Sequence, residues 1–139
     1  MEYWLNVNRE ENAGSKGILT AILNLYAGLP WAKVVQSPWQ DWAAFRKTMN
    51  KMDLYLQPSF TETFNITVAD AIVEGVPAVV SDAIDWAPKG WRAEADSVED
   101  IARVGVEHLE SPKTVETGFA ALKQHVEHGY QTWWRWLKT

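Results

Sequence analysis

Two carboxylates, Glu62 and Asp70, bracket the start of an apolar run from Ile66 to Glu74. The run follows the loop Pro58-Ser59-Phe60-Thr61-Glu62-Thr63-Phe64-Asn65 and is closed by Gly75 and Pro77. This pattern predicts a helix that is apolar nearly all round and therefore buried. The start of such a helix offers free backbone N–H groups and the positive end of a dipole, which suit phosphate or sugar oxygens. Glu62 precedes the helix. Asp70 lies about one turn inside it, roughly 6 Å further along the axis. A carboxylate in so apolar a helix needs a partner, because unpaired burial is costly. Two acids facing one crevice would suit a ligand rich in hydroxyls. The spacing equally fits a solvated acid before a helix and an acid capping a neighbouring loop.

The other polar side chains offer less. His125 and His128 stand three apart and His108 lies upstream, but no carboxylate spacing completes a metal set. They read as surface histidines, and no metal is expected. The chain has no Cys, which excludes disulfides, Cys-zinc sites and thiol catalysis.

The elements that must position these residues alternate. Tyr3 to Val7 reads as a strand, followed by a polar loop from Asn8 to Gly14. Ser15 is a candidate cap for a helix with Ile18, Leu19, Ile22, Leu23 and Tyr26 on one stripe, ending near Gly28. Lys33–Gln36 is a second strand. Pro38 opens a helix with Trp42, Phe45, Met49 and Met52 as its apolar positions. Asp53–Gln57 is a third strand, stopped by Pro58. Ala78–Ser81 is a fourth, apolar on both faces, as in a parallel strand covered by helices on both sides. Ser97 and Asp100 resemble a capping box, and the helix behind them places Val98, Ile101, Ala102, Gly105 and Leu109 on one face. Val115, Phe119, Leu122, Val126, Tyr130, Trp133 and Leu137 mark one long helix over about 113–138. Its stripe fits either its own core or a second body.

Strand and helix in strict alternation predict an α/β fold. The expected form is a doubly wound, Rossmann-like parallel sheet with helices on both faces, built as a single domain over residues 1–139. Ligands of such sheets bind outside the carboxyl ends of the strands. Those ends are the segments 8–16, 36–39, 58–67 and 81–91.

Composition narrows the partners. With 13 Lys and Arg against 18 Asp and Glu, the net charge is −5, and no polybasic stretch exists. Nucleic acid is therefore not an expected partner. No apolar run reaches the roughly 18 residues of a membrane span, and the first residues lack the pattern of a secretory signal. A cytoplasmic location is expected. Nine tryptophans in 139 residues imply that some aromatic surface meets a ligand, a partner or a second domain.

The stretch from Pro58 to Pro77 resembles the signature of GT-B glycosyltransferases of the family 4 type. That signature is a Pro-Ser turn, a Glu, a Gly-Phe-Gly-like triplet, a helix carrying a second acid, then Glu-Ala-Met-Ala-x-Gly-x-Pro and a strand. Here it stands as Glu62-Thr63-Phe64-Asn65-Ile66-Thr67-Val68-Ala69-Asp70-Ala71-Ile72-Val73-Glu74-Gly75-Val76-Pro77. Asp70 stands in place of the family's second Glu. The likeness extends along nearly the whole chain as the donor-binding, C-terminal half of such an enzyme.

The resemblance implies roles. Arg9 and Lys16 match the family's Arg and Lys that bind the donor diphosphate, though their spacing is longer. Lys16 would sit near a helix start, where the dipole disfavours a cation and a bound anion would resolve the conflict. Glu62 matches the acid near the reacting centre of the donor sugar. Thr63, Phe64 and Asn65, running into Ile66 and Thr67, match the segment whose backbone meets sugar or phosphate oxygens. Asp70 matches the acid that binds the ribose hydroxyls. The triplet's glycines are replaced by Thr63 and Asn65; of the two, Asn tolerates left-handed backbone better. The Gly-Gly pair usual after the fourth strand is absent from Asp82-Ala83-Ile84-Asp85-Trp86-Ala87-Pro88.

The implied activity is transfer of a sugar, with retention, from a nucleoside diphosphate sugar to an acceptor hydroxyl, with no cofactor and no metal. A complete GT-B enzyme has a second, N-terminal half that holds the acceptor. That half, or a partner chain, is implied as a partner, and the stripe from Tyr130 to Leu137 is the region expected to meet it. A non-catalytic nucleotide-sugar-binding module, or a degenerate half fold used for protein interaction, is the alternative.

Overall fold

The computed structural model describes residues 1–6, 13–111 and 113–138, with only the backbone of residues 6 and 13–16. The elements are β1 (Glu2–Asn6), α1 (Ala13–Ala27), β2 (Lys33–Ser37), α2 (Trp42–Met49), β3 (Tyr55–Gln57), α3 (Ile66–Val73), β4 (Ala78–Val80), a 3-10 turn (Lys89–Trp91), α4 (Val98–Glu110) and α5 (Thr114–Trp136). The chain is mixed α/β and divides into two compact units, Met1–Trp42 and Ala43–Thr139. Ser15 and its capping role fall among the side chains outside the described set.

The first unit is a β-α-β segment. β1 and β2 pair in parallel, from Glu2 opposite Lys33 to Asn6 opposite Ser37. α1 provides the crossover that a parallel pair requires. The Tyr3 ring packs on Tyr26 with centroids 4.7 Å apart, fastening the first strand to the helix. Lys33 and Glu2 form an exposed ion pair at 2.7 Å.

The second unit repeats the pattern. β3 and β4 are parallel, with Tyr55 opposite Ala78 and Gln57 opposite Val80, and α3 connects them. The third strand starts later than the expected Asp53. Tyr55 donates its N–H to the Pro77 carbonyl at 2.9 Å, and Pro77 has no N–H to extend the ladder further back. β4 is wholly buried, as its composition predicts. Ala78 and Val80 face a core of Val68, Ile72, Ile84, Trp86, Trp91 and Leu122, which come from α3, the loop after β4, the 3-10 turn and α5. Val79 faces the other way, onto Val104 of α4 and onto Ala93, which precedes that helix. Helices therefore cover β4 on both faces. Gly105 lets α4 come close; a Cβ there would stand 3.2 Å from the Leu54 side chain.

α3 ends as its sequence predicts. Glu74 is the C-cap and Gly75 takes the left-handed φ of 83°. Gly75 N–H donates to Ile72 and Val76 N–H to Ala71, the paired bonds of a Schellman turn. Yet α3 is not buried all round. Val68, Ala71 and Ile72 are buried, but Ile66 is 66% exposed and Val73 49%. An apolar sequence does not by itself say how many faces have neighbours, and here one face has none.

Two other helices correct the sequence reading. In α4 the buried stripe is Val104, Gly105 and His108, with Ile101 half-buried beside it, while Val98 and Leu109 are exposed. The expected stripe is turned because a histidine occupies a core position. His108 is therefore not a surface residue: its ring lies 5.1 Å from Trp91 and its Nδ1 is 3.0 Å from the Thr114 hydroxyl. Burial pushes the His108 imidazole below its ordinary value, while the nearby Ala78 carbonyl and the Glu107 carboxylate pull the other way. The Ser97 hydroxyl does accept from Asp100 N–H at 3.2 Å. Asp100, shorter than Glu, turns to accept from Glu94 N–H at 2.9 Å instead of closing the box.

α5 packs only through its first half. Gly118 and Leu122 are its buried residues. Beyond them the stripe is open to solvent: Val126, Tyr130, Trp133 and Leu137 are all half exposed or more. No helix among the described residues is long and apolar enough to cross a membrane.

Candidate functional site

The loop from Pro58 to Asn65 leaves the carboxyl end of β3 and enters α3, as the sequence places it. Its geometry follows from one backbone decision. Asn65, the N-cap of α3, has φ 56° and ψ 84°, the only positive φ of a non-glycine among the described residues. Asn is the residue type besides Gly that visits this region at low cost, because its short amide bonds locally. It does so here: Asn65 Oδ1 accepts from Val68 N–H at 3.0 Å and from the Thr67 hydroxyl at 2.8 Å. The N–H groups of Ile66 and Thr67, the first two helical residues, have no partner within the helix.

A chain of hydrogen bonds ties this cap to Glu62. Tyr55 Oη lies 3.1 Å from Thr67 Oγ1 and 3.1 Å from Gln57 Oε1. Gln57 Nε2 donates to Ser59 Oγ at 2.8 Å and to Glu62 Oε1 at 3.2 Å. Every member of this chain is half-buried. Burial raises the Tyr55 phenol above its ordinary value, the Glu62 charge adds to that, and the Thr67 hydroxyl opposes it.

The loop after β4 closes over the same segment. The Ser81 hydroxyl donates to the Ser59 carbonyl. Trp86 donates its indole N–H to the Phe64 carbonyl at 2.6 Å and stacks on the Phe64 ring at 5.5 Å. The exposed ring of His125, on α5, joins the same cluster, 5.6 Å from the Phe64 ring and 6.1 Å from that of Trp86. Arg92 fixes the loop from below. Its Nη2 donates to the Asp85 carbonyl at 2.6 Å and the Ala87 carbonyl at 2.7 Å, its Nε to Ala87 at 3.1 Å, and its Nη1 meets Asp82 at 3.3 Å. Three hydrogen bonds from one guanidinium to two loop carbonyls hold this loop in shape without the glycine pair.

The candidate residues are thus distributed unevenly. Glu62, Asn65 and Thr67 belong to one hydrogen-bonded network, and Phe64 is held by Trp86. Thr63 is exposed and Ile66 points to solvent. Asp70 is half-buried in the second turn of α3 rather than sealed in its core. Lys16 lies in α1, within the first unit, with its side chain outside the described set. Arg9 lies outside the described residues altogether. Among the described residues no group of three His, Asp or Glu is gathered to hold a metal ion.

Sequence reasoning missed Tyr55, Gln57, Trp86 and Arg92. Gln57 had one signal: a polar residue at the strand's last position, just before Pro58. Arg92 had none, since carbonyl bonds from a distant arginine leave no periodic trace.

No protein-family model, curated protein or solved structure matches the chain.

Proposed function

We propose that the chain is the donor-nucleotide-sugar domain of a retaining glycosyltransferase, one Rossmann-like half of a GT-B fold. The observation that most supports this reading is the left-handed backbone at Asn65. It falls where the resemblance aligns a glycine, at the entry to the helix that should face the donor. The two parallel β-α-β segments agree with the same architecture.

The site chemistry fits a nucleoside diphosphate sugar. Ile66 and Thr67 N–H groups at the start of α3 suit phosphate or sugar oxygens. Glu62, fixed by Gln57, would orient the donor sugar. Asp70, one turn further on, would take the ribose hydroxyls, a use of carboxylates familiar from other nucleotide sites. From Pro58 to Pro88 the sequence contains no Lys or Arg. Arg9 and Lys16, which the resemblance matches to the family's diphosphate-binding pair, are the residues proposed to stabilise the charge on the leaving diphosphate. No metal is invoked.

The exposed end of α5 favours a partner. Tyr130, Trp133, Trp134, Trp136 and Leu137 are each at least half exposed, which is unusual for so many aromatics on one helix. An N-terminal acceptor-binding half, or a separate chain, would cover them. The same feature supports a second reading, a half fold kept for protein interaction without catalysis.

Thermal melting with a panel of nucleoside diphosphates and nucleotide sugars separates the two. A ligand at 100 times its Kd adds about 2.7 kcal/mol of stability. One base class should raise Tm in the wild type and much less in Asp70→Asn. No shift with any ligand at millimolar concentration would reject the donor site and leave the interaction reading.

A further inference from the structure

The hydrogen-bond inventory around Glu62 admits one assignment. Ionised Glu62 only accepts, so Gln57 must present its amide nitrogen to it. The other N–H of that nitrogen goes to Ser59 Oγ at 2.8 Å, which uses both amide protons. Gln57 Oε1 is then left facing Tyr55 Oη as an acceptor. Tyr55 has one proton and two acceptors, Gln57 Oε1 and Thr67 Oγ1, each at 3.1 Å. Both distances exceed the usual 2.7–2.8 Å of a single O–H···O bond, as expected of a proton shared between two acceptors. Thr67 spends its own proton on Asn65 Oδ1. That oxygen caps α3 through Val68 N–H. Every donor in the chain is thus oriented by the charge on Glu62 at one end and by the α3 cap at the other.

We infer that Gln57, backed by Tyr55, is a positioning residue that locks the Glu62 carboxylate and couples it to the N-cap of α3. Gln57 is the last residue of β3, held in the ladder opposite Val80, directly before the loop. A loop carboxylate fixed in this way keeps its orientation before a ligand arrives, so less ordering is left for binding to supply. For its effect on a donor sugar the inference rests on the proposed site. The network itself does not.

The test is a swap of the pair. Gln57→Glu keeps the shape but sets two carboxylates face to face. Its Tm should fall below wild type by about 3–8 °C at pH 8 and recover toward pH 4.5, where the pair can share a proton. Simple loss of packing has no such pH profile. The double variant Gln57→Glu with Glu62→Gln restores one amide–carboxylate bond and should melt near wild type at pH 8. A Gln57→Glu protein as stable as wild type at pH 8 would overturn the inference, and so would a double variant no more stable than the single one. If Gln57→Glu does not fold at pH 8, the double variant decides alone. Binding then adds a separate outcome. If the wild type binds nucleoside diphosphates and their sugars, the double variant should retain the diphosphate and lose the preference for the sugar. Unchanged preference would overturn the positioning role. No binding by the wild type would reject the donor reading while the melting cycle still judges the network.

Discussion

Trp86 and Phe64 are joined twice: the indole N–H donates to the Phe64 carbonyl at 2.6 Å, and the two rings stack at 5.5 Å. One residue precedes α3 and the other follows β4, so this double contact fastens together the loops at the carboxyl ends of β3 and β4. Trp86 is 7% exposed, so its hydrogen bond is shielded from water. Trp86→Phe keeps the stack and removes the donor. It should cost about 1–3 kcal/mol, the penalty of leaving a carbonyl without its partner. Urea denaturation at neutral pH measures it; an unchanged midpoint would show that water replaces the indole.

Asn65 combines a left-handed backbone with a side-chain cap. The two contributions separate by substitution. Asn65→Gly removes the cap but relieves the backbone, and should change stability by only a few tenths of a kcal/mol. Asn65→Ala loses both and should cost about 2 kcal/mol. Equal effects of the two substitutions in thermal melts would show that the φ of 56° is not a constraint.

His108 makes stability depend on pH. Its folded value lies below the unfolded reference of 6.5, chiefly because it is buried. The unfolded chain therefore takes up the proton first as pH falls. The contribution is whole above about pH 6.5 and is lost progressively below it, down to the folded value. His108→Phe keeps an aromatic ring against Trp91 and cannot titrate. Its Tm should fall less than that of the wild type between pH 7.5 and pH 5. Parallel losses in the two proteins would place the titration elsewhere.

What was legible in the sequence had a local cause. β4 could be read because Ala78, Val79 and Val80 are small or β-branched and apolar on both faces. The end of α3 could be read because Gly75 alone can take a φ of 83° and Pro77 cannot continue a helix. Asn65 could be read as the residue replacing a glycine because of its own amide. What failed depended on neighbours distant in sequence. The stripe of α4 was turned because His108 packs on Trp91, seventeen positions earlier, and a histidine does not announce burial by type. Ile66 and Val73 are core residues by type, but only tertiary contact decides which face of an apolar helix is covered. The role of Gln57 rests on side chains from Tyr55 to Thr67 folding back on one another, which has no periodic signature.

The most direct measurement of the donor-site proposal is a calorimetric titration of the wild type and Lys16→Ala with a nucleoside diphosphate and the matching monophosphate. The diphosphate should bind the wild type more tightly than the monophosphate. Lys16→Ala should weaken the diphosphate roughly 10- to 100-fold, the loss of one charged phosphate contact, and affect the monophosphate less. Equal affinities for both nucleotides, unchanged by Lys16→Ala, or no heat from either at millimolar concentration, would contradict a diphosphate site on this chain.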